Sequence, residues 1–241
     1  MADGQDIWDG WPRATIEEGR AKAVLEKCMD KRGLRSIPVP VPIEEFIEGA
    51  LGYDFEVCDL SSLGEDVIGS AWCEAPFAVA VSERIENENG RFRFTAAHEL
   101  GHIVMHSELG MRFDDGDKTM LIHDHGFEAQ ANRFASGFLM PWTAVEAEMV
   151  RICRDYDINV KKFLGALLGA NSHSLWMWKH RMLPRITSRF EVSLSAAIYR
   201  FTSLKLPDGS WFLDQSMVEE LMTAEFSIRR PLRGTLLASV R

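Results

Sequence analysis

The chain has 241 residues, of which 46% are hydrophobic and 26% charged, and this length and composition are those of an ordinary globular protein with a sizeable core. A formal net charge of −9 argues against a protein built wholly around nucleic acid. No apolar signal segment or membrane span is visible, and four cysteines without a C-x-x-C pair favour a reduced, cytoplasmic protein.

The N-terminal part alternates helix signals with extended signals. Residues 1–14 read as a loose leader, and Thr15 to Glu18 form a capping box that predicts a helix to about Lys31, ended near Gly33. Prolines then mark an extended connector, and a short second helix is expected to begin at Pro42 and to end before Gly52.

Three short segments rich in β-branched and aromatic residues follow, at 54–60, 67–73 and 77–82. They predict strands of one small antiparallel sheet. Helices are expected over 91–106, over 127–140 and on to about Gly169, and the acidic stretch Asp114–Asp117 is interpreted as a solvated turn because it lacks the ligand spacing of an EF-hand.

One of these predicted helices carries the clearest chemical motif. His98, Glu99 and His102 form an H-E-x-x-H pattern. Residues i and i+4 share a helix face, so both imidazoles can converge on one Zn²⁺ ion. Glu99 is then placed to face a water at the metal and to act as the catalytic base. Two hydrogen-bonded core histidines are the alternative explanation of the pattern.

A catalytic zinc site requires a third protein ligand. Glu128, which opens the helical run after the loop, is the best candidate. His106 lies two helical turns beyond His98, about 12 Å along the axis, and is therefore given a structural or outer role. His123 and His125 precede Glu128 in the loop and compete for the third position, line the cleft, or are ordinary surface histidines.

The two segments around these residues, 93–106 and 128–141, strongly resemble the ImmA/IrrE family of metallopeptidases. The resemblance implies a zincin-like α+β fold, with a small antiparallel sheet packed on helices. It also assigns His98, His102 and Glu128 to zinc and Glu99 to catalysis, with Asn132 in the second segment as an outer or cleft residue. The likeness covers roughly residues 15–142, and the peptidase domain is expected to span 15–170.

The region 171–241 is predicted to be mostly helical, and residues 186–201 resemble the helix-turn-helix-like segment that follows the peptidase part in many members of the family. Val192 and Ser193 would be its turn and cap. Trp176, Met177 and Trp178 are interpreted as core or oligomer contacts. The segment 175–205 is also basic, and DNA binding is an open but less favoured alternative to packing on the peptidase; its charged residues are Lys179, Arg181, Arg185, Arg189, Arg200 and Lys205, against Glu191.

Family members are known chiefly as proteases that cleave helix-turn-helix repressors in mobile-element and stress-response switches. The resemblance therefore implies a protein substrate. The first hypothesis is that the protein is an intracellular zinc endopeptidase that inactivates a transcriptional repressor. Two alternatives remain: a regulatory DNA-binding protein with structural zinc, and a toxin-like component whose proteolytic activity is blocked by a partner. An intact Glu99 favours the enzyme, because a structural site does not need it and is normally closed by four ligands.

Overall fold

A computed structural model of the chain describes residues 15–116 and 126–228. Helix α1 spans Ile16–Arg32, and Thr15 caps it by accepting a hydrogen bond from the Glu18 backbone N–H at 3.2 Å. Gly33 ends the helix in the left-handed conformation, as predicted. The predicted leader, 1–14, lies outside the described residues.

The second predicted helix is a hybrid. Helix α2 spans Ile43–Glu45 and continues as a π-helical turn over Phe46–Leu51, which Gly52 ends with a φ of 73°. Phe46 and Ile47 are fully buried in this turn. The short helix therefore supplies core side chains rather than a long amphipathic face.

The sheet has four strands and is mixed. Strands β1 (Asp54–Cys58), β2 (Val67–Trp72), β3 (Ala78–Ser82) and β4 (Arg112–Gly116) lie in the order β1-β3-β2-β4. β2 pairs antiparallel with both β3 and β4, but β1 pairs parallel with β3, so the prediction of a wholly antiparallel sheet was wrong in this detail. The chain crosses over between β1 and β2, which places β3 between them.

Two helices at the centre of the fold bring distant parts of the chain together. Helix α3 (Asn89–His106) packs on β2 and β3 with one side and on α4 (Phe127–Leu139) with another, and α1 packs on α4. Pro141 follows α4, as expected from its missing N–H. This mixed α/β architecture is consistent with the zincin-like fold that the resemblance implied.

Six helices form the rest of the described chain. They are α5 (Trp142–Asp155), α6 (Val160–Leu167), α7 (Ser172–Met177) running through a π-helical turn (Trp178–Met182) into α8 (Leu183–Phe190), then α9 (Leu194–Ser203) and α10 (Val218–Ile228). Ser193 caps α9 by accepting from the Ala196 N–H at 3.1 Å, as predicted for the second helix of the helix-turn-helix-like pair. Trp178 is fully buried and Trp176 is 43% exposed.

The C-terminal helices share one hydrophobic core with the peptidase part, in a cluster that reaches from Ala21 to Leu221. Arg200 shows how close this packing is. Its side chain is 2% exposed; Nη2 lies 2.6 Å from Glu18 Oε1 on α1, and Nε donates to the Met140 carbonyl at 3.0 Å. Arg200 therefore does not face DNA, which corrects its place among the phosphate-binding candidates. Glu18, the acidic residue of the predicted capping box, thus directs its carboxylate at this arginine.

Within the described ranges, no helix combines the length and apolar character that a membrane crossing requires.

Candidate active site

Helix α3 places the two motif histidines side by side. His98 and His102 are one helical turn apart, and their Nε2 atoms lie 3.0 Å from each other. Both rings are buried, His102 completely. The helix therefore presents two imidazole nitrogens to one point, as the H-E-x-x-H spacing predicts.

Helix α4 brings Glu128 to this point. One Glu128 carboxylate oxygen lies 3.3 Å from His98 Nε2 and the other lies 3.6 Å from His102 Nε2. The approach depends on Gly101, because a Cβ there would lie only 3.1 Å from the Ala131 backbone of α4. The structure thus brings together the three residues proposed from the sequence as metal ligands.

Strand β4 adds a fourth group that the sequence interpretation missed. Asp115 Oδ2 lies 2.9 Å from His98 Nε2 and 3.1 Å from His102 Nε2, and the residue is 6% exposed. The acidic stretch is therefore not a solvated turn up to Gly116; it is a strand whose residues alternate between exposed and buried. Only Phe113 between two polar residues hints at a strand, and the sequence carries no signal that singles out Asp115. Asp117 lies outside the described residues.

Hydrogen bonds on the far side of each imidazole fix its tautomer. His98 Nδ1 donates to Asn132 Oδ1 at 2.8 Å. His106 Nε2 donates to Gln130 Oε1 at 2.8 Å, so its Nδ1 accepts from His102 Nδ1 at 3.1 Å. Both motif histidines thereby keep Nε2 turned toward the same point, where a metal ion can take the place of a proton.

Four potential metal ligands converge here: His98, His102, Asp115 and Glu128, with one donor atom from each within 4.8 Å of the others. Oδ2 of Asp115 and Oε2 of Glu128 are buried against these imidazoles, and within the described residues no hydrogen bond of good geometry satisfies them. Burial opposes a charge on His98, yet the two carboxylates raise its pKa to about 9. Burial likewise opposes charge on the carboxylates, and the imidazoles lower the pKa of both. The site therefore fits a divalent cation.

Glu99 lies beside this cluster and is fully buried, with its carboxylate against that of Asp115 and with no donor among the described residues to satisfy its oxygens. Burial, followed by the negative charge of Asp115, raises the pKa of Glu99 well above its ordinary value. Room for the carboxylate comes from Gly69 on β2, where a Cβ would clash with Glu99 Oε1 and lie 2.7 Å from Thr95 Cγ2. Such a perturbed, unpartnered acid is typical of a functional site.

The remaining candidates take different places. His106 contacts Nδ1 of His102, on the side of that ring away from the convergence point, and its ring lies 5.4 Å from that of Phe113 and 4.7 Å from that of Phe127, centroid to centroid. Its predicted outer role agrees with this position. His123 and His125 lie outside the described residues.

Comparison with known proteins gives the family. A search of curated proteins finds no match. The family model of Peptidase M78, described as IrrE N-terminal-like domain, matches residues 79–202, just over half of the chain. The matched range contains every residue of the cluster, all of α8, and α9 up to residue 202. The chain therefore belongs to the ImmA/IrrE family of peptidases.

Proposed function

We propose that the protein is a zinc-dependent endopeptidase. One observation carries the proposal: two imidazole Nε2 atoms 3.0 Å apart and the Glu128 carboxylate converge on one point, with the buried, unpartnered carboxylate of Glu99 beside it. Two histidines and one carboxylate are a common catalytic zinc set. A buried carboxylate that finds no donor among the described residues lowers the stability of the fold, and such groups are typical of sites where the chemistry requires them.

The residues divide the work of peptide hydrolysis between them. When bound, zinc would polarise the scissile carbonyl and make water more acidic. Glu99 accepts the proton of the attacking water and then gives it to the leaving amine. Asn132 and His106 hold the two zinc-binding imidazoles in the required tautomer.

The proposed substrate is a helix-turn-helix transcriptional repressor, in a stress-response or mobile-element switch. Support for it comes from the resemblance of the two motif segments to ImmA/IrrE peptidases. We place the reaction in the cytoplasm. All four cysteines, Cys28, Cys58, Cys73 and Cys153, are free thiols, which agrees with a reducing compartment.

Co-expression with a candidate helix-turn-helix repressor, chosen first from the genes that flank this one, tests the substrate. We expect the full-length repressor to disappear from a gel with the wild-type protein and to persist with His98→Ala, which removes a zinc ligand. N-terminal sequencing of the fragments would then give the scissile bond. Equal survival of the repressor with both proteins would refute this substrate, and equal loss with both would refute this site.

A second candidate function is a regulatory protein with structural zinc. The observation that favours it is Asp115, because a shell of four protein ligands is typical of structural sites. Glu99 argues against it, since a structural zinc does not need a buried, unpartnered carboxylate beside it. DNA binding through 185–205 would accompany this candidate, and a salt-sensitive gel shift with Arg189→Ala as the weakened variant tests it.

A further inference from the structure

Several distances around the cluster are close to those between the ligand atoms of a tetrahedral zinc site. Zinc binds nitrogen and carboxylate oxygen at about 2.0–2.1 Å, so the ligand atoms of a tetrahedral site lie roughly 3.3 Å apart. Asp115 Oδ2 lies 2.9 and 3.1 Å from the Nε2 atoms of His98 and His102, and the Glu128 oxygens lie 3.3 and 3.6 Å from the same atoms. Asp115 is thus at least as close to the histidines as Glu128 is.

Strand β4 holds Asp115 in this position by ordinary sheet geometry. Residues i and i+2 point to the same face, so Phe113 and Asp115 both face α3. Phe113 stacks on the His102 ring with centroids 4.2 Å apart and an interplanar angle of 16°. Asp114 faces the other way, accepts from Ser70 Oγ at 2.6 Å and pairs with Arg112.

We infer that Asp115 is a fourth protein ligand of the metal in the resting state, which lowers the rate of peptide hydrolysis, a partial latency that ends when the Asp115 carboxylate is displaced. The latency, though not the ligation, rests on the proposed function.

Chemistry and burial agree with a closed, latent state. A catalytic zinc keeps one position open for water or substrate, and Asp115 takes the fourth position. Its negative charge, added to that of Glu128, would neutralise the charge of Zn²⁺ and weaken its effect on water and carbonyl groups. Glu99 is fully buried in the same structure, so the base is shielded from bulk solvent in this state.

Zinc affinity tests the ligation. Asp115→Ala should weaken zinc binding by at least about 100-fold in competition with a chelator, the upper range for loss of an outer partner. Asp115→Asn keeps the size of the side chain and covers the case in which the alanine variant misfolds, as monitored by circular dichroism. Asp114→Ala is the matched control and should leave zinc affinity within threefold of wild type. Wild-type affinity in both Asp115 variants would overturn the inference.

Cobalt substitution tests the closed shell without any assay of activity. Acetohydroxamate should leave the visible spectrum of wild-type Co²⁺ protein unchanged, because no position is open, and should shift that of Asp115→Ala. We expect at least tenfold tighter hydroxamate binding by the variant. Equal spectral shifts and equal affinities would show that the fourth position is already open in the wild type.

Proteolysis tests the latency separately. With zinc at a concentration that loads both proteins, Asp115→Ala should cleave the repressor at least tenfold faster than wild type, and adding Glu99→Gln should abolish the gain. A cleavage rate in Asp115→Ala below that of wild type would refute the latency, and the zinc-affinity measurements would still decide whether Asp115 is a ligand. No Glu99-dependent cleavage by either loaded protein would refute the proposed function and the latency together, again without affecting the ligation.

Discussion

The ion pair between Glu18 on α1 and Arg200 on α9 ties the C-terminal helices to the peptidase part, and breaking it should destabilise the whole fold. The side chains are 14% and 2% exposed, and Nη2 lies 2.6 Å from Oε1. Removing one partner of a buried pair costs about 3–5 kcal/mol, because the other charge stays buried. Glu18→Gln should lower the free energy of unfolding by about 3 kcal/mol, at the low end of this range, because Arg200 Nε still donates to the Met140 carbonyl.

Thermal unfolding followed by circular dichroism measures this loss. For a chain of this size, each kcal/mol lowers Tm by about 2–4 °C, so Glu18→Gln should lower Tm by about 6–12 °C. Lys22→Ala is the matched control on the same helix. It breaks an exposed pair with Glu26, 3.8 Å apart, and should cost less than about 0.5 kcal/mol.

A double variant separates the ion pair from general damage to packing. Glu18→Leu with Arg200→Met replaces both charges by apolar groups, which is often neutral. We expect it to be more stable than the sum of the two single variants by on the order of 2 kcal/mol, a coupling of the size seen for residues in contact. A loss below about 1 kcal/mol in Glu18→Gln, or additive single losses, would refute the packing role of this pair.

Three further predictions concern the site and its supports. Gly69→Ala should lower the cleavage rate at least tenfold with zinc retained, because the new methyl displaces Glu99, whereas Gly165→Ala on exposed helix surface should leave the rate unchanged; equal rates would contradict this. Asn132→Ala should weaken zinc binding by about 10–100-fold in chelator competition, and unchanged affinity would exclude its orienting role. Burial raises the pKa of Glu17, but a backbone hydrogen bond and Arg133 lower it by more, so the net shift is downward. The Glu17 carboxylate therefore stabilises the fold fully above about pH 4.5 and progressively less as the pH falls below that value. Urea unfolding should therefore show Glu17→Gln to be less stable than wild type at pH 7, with the difference shrinking as the pH falls below about 4.5, and a difference independent of pH would contradict the assignment.

Local signals in the sequence predicted the helices and the motif well. The capping of α1 by Thr15, its end at Gly33 and the end of α4 before Pro141 follow from residues with strong conformational preferences. The i, i+4 spacing of His98 and His102 is likewise a local property of one helix, and local spacing determines how the rings converge.

Asp115 could not be found in the same way, because its role depends on pairing between distant segments. An Asp-Asp-Gly run favours a turn by composition, and only the pairing of β4 with β2 makes it a strand. The parallel pairing of β1 with β3 and the burial of Arg200 have the same origin. In each case a contact between residues far apart in sequence overrides the local preference.

Glu99→Gln tests the central claim most directly, by measuring zinc content and repressor cleavage on the same preparation. Glutamine keeps the size of the side chain and removes the base. The account predicts wild-type zinc content, an unchanged fold and a cleavage rate lower by at least about 10²–10⁴-fold, the usual contribution of a general base. Cleavage at the wild-type rate by the zinc-loaded variant would contradict it, and would place the chemistry outside this site.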